Sequence, residues 1–274
     1  MKFHQLSKPT ISETAGWKSF TLGINYPKRR LIAFEGEPKT GKSLCCIQDA
    51  IMLAQTNDVL YIYNEATEET FMTFAWNVFN NLKNMYPNLD EDLLSLDFLE
   101  LNSDENVNIF TLPANANRTT VNVFTKKVSD LIAGWISKKN DPALIVIDSI
   151  TQFCNDAPAQ TGTFVKQLYY LLHSLLHKTN KTPTIICINQ MVDGRAYGGF
   201  KVAHAYDGIV SFHRYRVDKF TQKVFNRKIG DVIYTYSIEG IRGVLMDMSE
   251  TVLVNNCGVI SPGQKLEDAV SIDI

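Results

Sequence analysis

Four short runs constrain this chain more than anything else in it: "LIAF" at 31–34, "VLYIY" at 59–63, "ALIVI" at 143–147 and "TIICI" at 184–188. None of them alternates polar and apolar residues. A strand with one wet face alternates, because successive side chains point to opposite sides of a sheet. A strand apolar at every position needs cover on both faces, which means a largely parallel sheet between helical layers. Segments with helical periodicity fall between the runs. The first spans Lys42 to about Gln55. The second is "TEETFMTFAWNVFNNLKNM", with Thr67 as N-cap and acids in its first turn. Two more are "TTVNVFTKKVSDLIAGWISKKN", ended by Asn140, Asp141 and Pro142, and "GTFVKQLYYLLHSLLHKTN". "LDFLELN" reads as a further strand. Past residue 205 the pattern changes to alternating runs, "GIVSFHRYRV", "KVFNRKIGDVIYTYSI" and "RGVLMDM", expected as antiparallel strands. The expected architecture is α/β: a central, mostly parallel twisted sheet flanked by helices, with C-terminal antiparallel hairpins. An arm without periodicity occupies 1–25, one core 26–255 and a tail 256–274.

With 274 residues, 45% hydrophobic and 20% charged, the chain has material for a sizeable core. Its formal net charge of -2 means that any nucleic-acid contact must come from a local patch. Five cysteines include no CxxC pair, and several sit inside apolar helix or strand patterns, which fits a reducing compartment. No signal-peptide core opens the sequence, and no run approaches the roughly 18 apolar residues of a membrane helix. The expectation is a soluble cytoplasmic protein with no membrane partner. His173 and His177 stand four apart on a helix without an intervening acid, so both are expected as solvated positions rather than metal ligands.

"GEPKTGKS" fits G-x-x-x-x-G-K-[ST] and stands where its mechanism requires, between a strand and a helix. Gly36, Glu37, Pro38, Lys39, Thr40 and Gly41 form a loop whose backbone N–H groups can turn around phosphate oxygens. Lys42 brings a point charge for the β- and γ-phosphates, Ser43 a hydroxyl for Mg²⁺, and the helix N-terminus its dipole. ATP with Mg²⁺ is the expected ligand. Asp148 ends an apolar strand, where a carboxylate completes the metal shell. Glu65 follows the second strand and is placed to orient water and take its proton. Glu68 and Glu69 compete for that role, but in a first helical turn their role is dipole compensation. Asn189 and Gln190 end the fourth run, where an amide can sense the γ-phosphate.

The blocks "GEPKTGKS", "YIYNEATEE", "LIVIDSI" and "IICINQM", in that order, resemble RecA-like ATPase cores. The spacing of Gly194, Gly198, His204, Asp207 and Phe212 resembles bacterial RadA/Sms, and "VFNRKIG" is similar to that family's Lys-Asn-Arg-Phe-Gly motif. The likeness runs from about Leu31 to Met248. Phe225 stands where the family has its motif lysine, and the likeness covers neither the family's zinc-binding module nor its protease-like domain, so a core-only member is expected. The chain is similar to the core-only recombinases carried by some phages. The resemblance implies a DNA-stimulated ATPase that self-associates into a ring or filament. It implies a role in recombination, annealing, repair or replication, alongside other proteins of those processes. It makes Arg227, with Lys228 as back-up, the residue reaching a neighbour's γ-phosphate. It makes the segment after "INQ" a loop for single-stranded DNA. The chemistry of that segment agrees: Arg195 and Lys201 suit phosphates, while Tyr197 and Phe200 suit base stacking. The other loop expected near DNA, "CNDAPAQTGT", carries no basic residue. The alternatives are a ring helicase-like motor, or a KaiC-like regulatory or recombinase-mediator subunit that uses ATP to switch protein contacts.

Overall fold

In a computed structural model, residues 16–101, 111–192, 195–196, 205–219, 222, 227–241, 249–256 and 258–265 are described. The four apolar runs become β3 (Leu31–Gly36), β4 (Asp58–Tyr63), β6 (Pro142–Asp148) and β7 (Thr184–Val192). With β5 (Leu96–Glu100) and β9 (Gly208–Arg216) they pair in parallel, in the order β9-β3-β7-β6-β4-β5. Both faces are covered, as continuous apolar strands demand. On β3, Ile32 and Phe34 join the layer under helices Lys42–Leu53 and Glu68–Met85. Leu31 and Ala33 join the opposite layer, under helices Arg118–Lys138 and Thr161–Thr179. Thr67 caps the helix it was expected to cap, its hydroxyl accepting from Thr70 N. Among the described residues no helix is long and apolar enough to cross a membrane.

Three regions differ from the sequence expectation. First, part of the arm is built into the core. Residues 16–26 form a small ladder, β1 (Trp17–Lys18) on β2 (Asn25–Tyr26), clasped to the helix Lys42–Leu53. Buried Asp49 accepts from Ser19 Oγ at 2.6 Å and from Thr21 N at 2.8 Å. Two-residue strands have no periodicity to detect, and the clasp is a tertiary contact. Second, β9 is parallel to β3 and antiparallel to β10 (Val232–Ile241), so it closes the parallel sheet as well as opening the hairpins. Of the strand expected from residue 223, residues 223–226 lie outside the described residues and 227–231 are not strand, turning at Gly230 (φ 94°) before β10 begins at Val232. "RGVLMDM" lies outside the described residues. Third, the stretch expected as a tail contributes β12 (Val259–Lys265), which pairs with β11 (Thr251–Asn256) at the sheet edge. Val259 and Ile260 are buried there. Pro262 stands in this strand, and an edge strand tolerates a residue without an N–H.

Strand direction positions the site. β3, β4, β6 and β7 are parallel, so their carboxyl ends lie at one edge of the sheet, where open α/β sheets bind ligands. The register sets Gly36 beside Gln190, Glu35 beside Asn189 and Tyr63 beside Asp148. Because β9 is also parallel to β3, the chain leaves β7 at this edge and re-enters the sheet at the opposite one. It is secured on re-entry by Asp207, whose carboxyl accepts from Leu31 N at 3.0 Å and pairs with His173 Nε2 at 3.2 Å. His173 is therefore half-buried against Asp207 and not solvated, while His177 is exposed.

Candidate functional site: a phosphate loop beside a clamped carboxylate

The loop after β3 turns on two residues in the left-handed region, Lys39 (φ 64°) and Gly41 (φ 96°). Gly41 is the N-cap of the helix that starts at Lys42. At Gly36 a Cβ would stand 2.5 Å from the Phe212 carbonyl oxygen, so only glycine fits against β9. Lys42 is buried, and its ammonium donates to Gly36 O at 2.8 Å, Glu37 O at 2.7 Å and Thr40 Oγ1 at 3.3 Å. Phosphate oxygens would replace these acceptors and add opposite charge. Burial lowers the Lys42 pKa to about 8, against the pull of Asp148 and Glu65.

Asp148 closes β6 with its carboxyl buried. Burial raises its pKa to about 6, and the hydroxyls of Tyr61 and Ser43 hold it down. Tyr61 Oη donates to Oδ2 at 2.7 Å. Ser43 and Asp148 thus form a pair of hard oxygen donors at the loop. Among the described residues no group of three His, Cys, Asp or Glu could hold a metal ion. That set fits a cation carried largely by phosphate and water, as Mg²⁺ is at nucleotide sites.

Glu65 stands just beyond β4, and three strand ends converge on it. Ser149 Oγ and Gln190 Nε2 both donate to Glu65 Oε1, the latter at 2.8 Å. Asn64, which sequence reasoning passed over, joins β4 to β6. Its Nδ2 donates to Ser149 O at 3.0 Å and its Oδ1 accepts from Ser149 N at 2.7 Å. Thr151 was also passed over: its hydroxyl accepts from Gln190 N at 2.8 Å. The signal for Asn64 and Ser149 was their position, each next to an acid at a strand end. Glu68 and Glu69 are exposed in the first turn of their helix, away from this hydrogen-bond set.

Beside the loop lies a cavity of about 260 Å³, lined by Lys39, Thr40, Gly41, Leu44, Tyr234, Leu253, Asn255 and Ile260. Its far wall is the β10–β11–β12 sheet that the sequence reading divided between core and tail. The expected finger, Arg227, is exposed and lines a second cavity of about 490 Å³ that shares Tyr234, Leu253 and Asn255 with the first. No hydrogen bond or ion pair among the described residues links Arg227 to Lys42, Glu65 or Asp148; its own N–H donates to Gln222 O. Of the residues expected at DNA, only the backbone of Arg195 is described, in β8 (Arg195–Ala196) paired to β7. Tyr197, Phe200 and Lys201 lie outside the described residues.

Fold and loop together define a RecA-like P-loop ATPase core. The family model described as "ATPase: KaiC" matches residues 19–254, and the chain belongs to that family. Comparison with solved structures adds the KaiC-like protein PH0186 of the hyperthermophilic archaeon Pyrococcus horikoshii. The match covers 92% of this chain and all of that one, with a TM-score of 0.63 and 12% identity. That is a likeness of fold. Comparison with curated protein sequences gives no match.

Proposed function

We propose that the chain binds ATP with Mg²⁺ at Gly36–Ser43, hydrolyses it with Glu65 as general base, and uses the nucleotide state to switch contacts in a self-associated assembly. One observation carries the proposal: Glu65, beside the phosphate loop, takes hydrogen bonds from both β6 and β7, through Ser149 and Gln190. The two donors hold Glu65 Oε1 and so orient the carboxylate, whose Oε2 can then face a water and accept its proton. Lys42 neutralises charge on the phosphates, and Ser43 and Asp148 would hold Mg²⁺, which when bound offsets charge on the β- and γ-oxygens. Gln190 touches the base and opens the segment that returns to β9. A change at the γ-phosphate therefore has a covalent route to residues 193–204. The apolar flank of the loop, Leu44, Tyr234, Leu253 and Ile260, suits a nucleoside.

A second, finer reading makes single-stranded DNA the ligand of that segment. Its support is the sequence there: Arg195 and Lys201 among glycines, with Tyr197 and Phe200. Phosphate release and light scattering, with and without single-stranded DNA, test both readings, with Lys42→Ala as the blank. ATP-dependent hydrolysis and a change of assembly support the switch. Stimulation by DNA adds the finer reading, and an unresponsive rate removes it. Hydrolysis equal in the Lys42→Ala protein overturns the whole proposal.

A further inference from the structure

Glu35 is a carboxylate buried at the last step of β3, one residue before the phosphate loop, and neither the loop motif nor the proposed chemistry uses it. It faces Asn189 across the β3–β7 ladder. Asn189 Nδ2 donates to Glu35 Oε1 at 3.2 Å, and Asn189 Oδ1 accepts from Thr151 Oγ1 at 3.2 Å. The Thr151 hydroxyl in turn accepts from Gln190 N at 2.8 Å. Gln190 Nε2 then reaches Glu65 at 2.8 Å. Neighbouring side chains on a strand point to opposite faces, so Asn189 and Gln190 are coupled through the backbone they share.

The chain of bonds has a direction. A hydroxyl has one proton, and Thr151 spends it on Asn189 Oδ1 while accepting from Gln190 N. That arrangement holds only if the Asn189 amide presents its oxygen to Thr151 and its nitrogen to Glu35. An acceptor at position 35 decides this. Without one, the amide can flip and turn its nitrogen to Thr151, whose hydroxyl must then give up its bond to Asn189 and share its oxygen between two donors; this loosens its part-buried hold on Gln190 N, at a cost of up to about 1–3 kcal/mol. Burial raises the Glu35 pKa, with Glu239 adding to the rise and Asn189 opposing it. Either protonation state keeps an oxygen that can accept from Asn189.

We infer that Glu35 is a positioning residue for hydrolysis: it orients Asn189, and through Thr151 and the Gln190 backbone it aims the Gln190 amide at Glu65. The inference rests on the proposed role of Glu65 and Gln190.

Glu35→Gln keeps an acceptor, while Glu35→Leu keeps bulk without one. Kinetics with ATP and binding of a fluorescent ATP analogue separate positioning from folding. Glu35→Gln is expected to hold kcat within about threefold. Glu35→Leu is expected to lose kcat by about tenfold, the equivalent of one hydrogen bond, with KM and analogue binding kept. Thr151→Val breaks the same chain elsewhere and serves if the Leu variant does not fold. The two losses should not multiply in the double variant, because they remove one device. A Gln variant as slow as the Leu variant overturns the inference. So do Leu and Val variants at full rate, losses that multiply, or losses of rate and binding together. A Glu65→Gln control separates the failures. If it hydrolyses normally, the underlying reading falls; if it is slow while Glu35→Leu is fast, only this inference does.

Discussion

Replacing Tyr61 by Phe removes one hydroxyl and leaves the ring against Phe71 and Phe98. That hydroxyl donates to Asp148 Oδ2 at 2.7 Å and favours the charged carboxylate, whose pKa burial has raised to about 6. A hydrogen bond to a charged acceptor contributes about 1.5–3 kcal/mol, equivalent to about 1–2 pH units. The anionic form of Asp148 is the one that would take Mg²⁺, so activity should fall as pH drops through its pKa. Lys42 acts from the other side. Its pKa is lowered to about 8, its cationic form is the one that meets phosphate, and activity should fall as pH rises past it. The wild-type profile of kcat/KM for ATP is therefore expected to be bell-shaped, with limbs near these two values. In Tyr61→Phe the acid limb should climb by about 1–2 pH units while the alkaline limb stays. The plateau narrows and its peak drops. Steady-state phosphate release in excess magnesium, from acid to alkaline pH, measures both limbs. An acid limb that stays put, or moves down, refutes the control of Asp148 by Tyr61.

Three further outcomes are expected. Arg227→Ala should bind ATP and fail to hydrolyse it, then regain activity when mixed with Glu65→Gln protein, because some interfaces then join a sound base to a sound arginine; co-assembled mixtures that stay inactive rule out action in trans. Replacing Arg195 and Lys201 by Ala should lower the salt dependence of single-stranded DNA binding by up to about one unit of slope per phosphate contact, and an unchanged slope moves the DNA site elsewhere. Asp49, raised to about 6 by burial against its bonds to Ser19 and Thr21, favours the folded state when protonated. Its contribution is present below the ordinary carboxyl range and lost as pH rises through about 6. In urea unfolding, Asp49→Asn should flatten the decline of stability between acid and neutral pH by up to about 3 kcal/mol; an unaltered decline contradicts that assignment.

What the sequence made legible follows from how local each signal is. The phosphate loop announces itself because two glycines five residues apart, followed directly by lysine and serine, stand between a strand and a helix. Asp148 and Glu65 were legible as acids at strand ends, a position that a parallel sheet turns into a site. Their partners were not. Tyr61 reads as a strand aromatic, Asn64 as a strand terminator and Thr151 as a short-helix residue. Each acquires its role only when β4, β6 and β7 are set in register. The edge hairpin was missed for a different reason. "TVLVNN" and "VISPGQK" carry weak alternation, interrupted by Pro262 and Gly263, and the turn between them depends on Asn255 Oδ1 accepting from Gly258 N. Tertiary pairing at the sheet edge, rather than propensity, makes β12 a strand.

The account rests most heavily on Glu65 as the base, and Glu65→Gln tests it with little collateral change. A glutamine keeps an oxygen to accept from Ser149 and Gln190, so the cluster can persist while the proton acceptor is lost. Phosphate release from a single turnover of bound ATP, beside equilibrium binding of the same nucleotide, is the measurement. The prediction is unchanged binding with release slowed by about 10²–10⁴-fold. Release at the wild-type rate would contradict the account and move the base to another residue, with Glu68 next to be replaced.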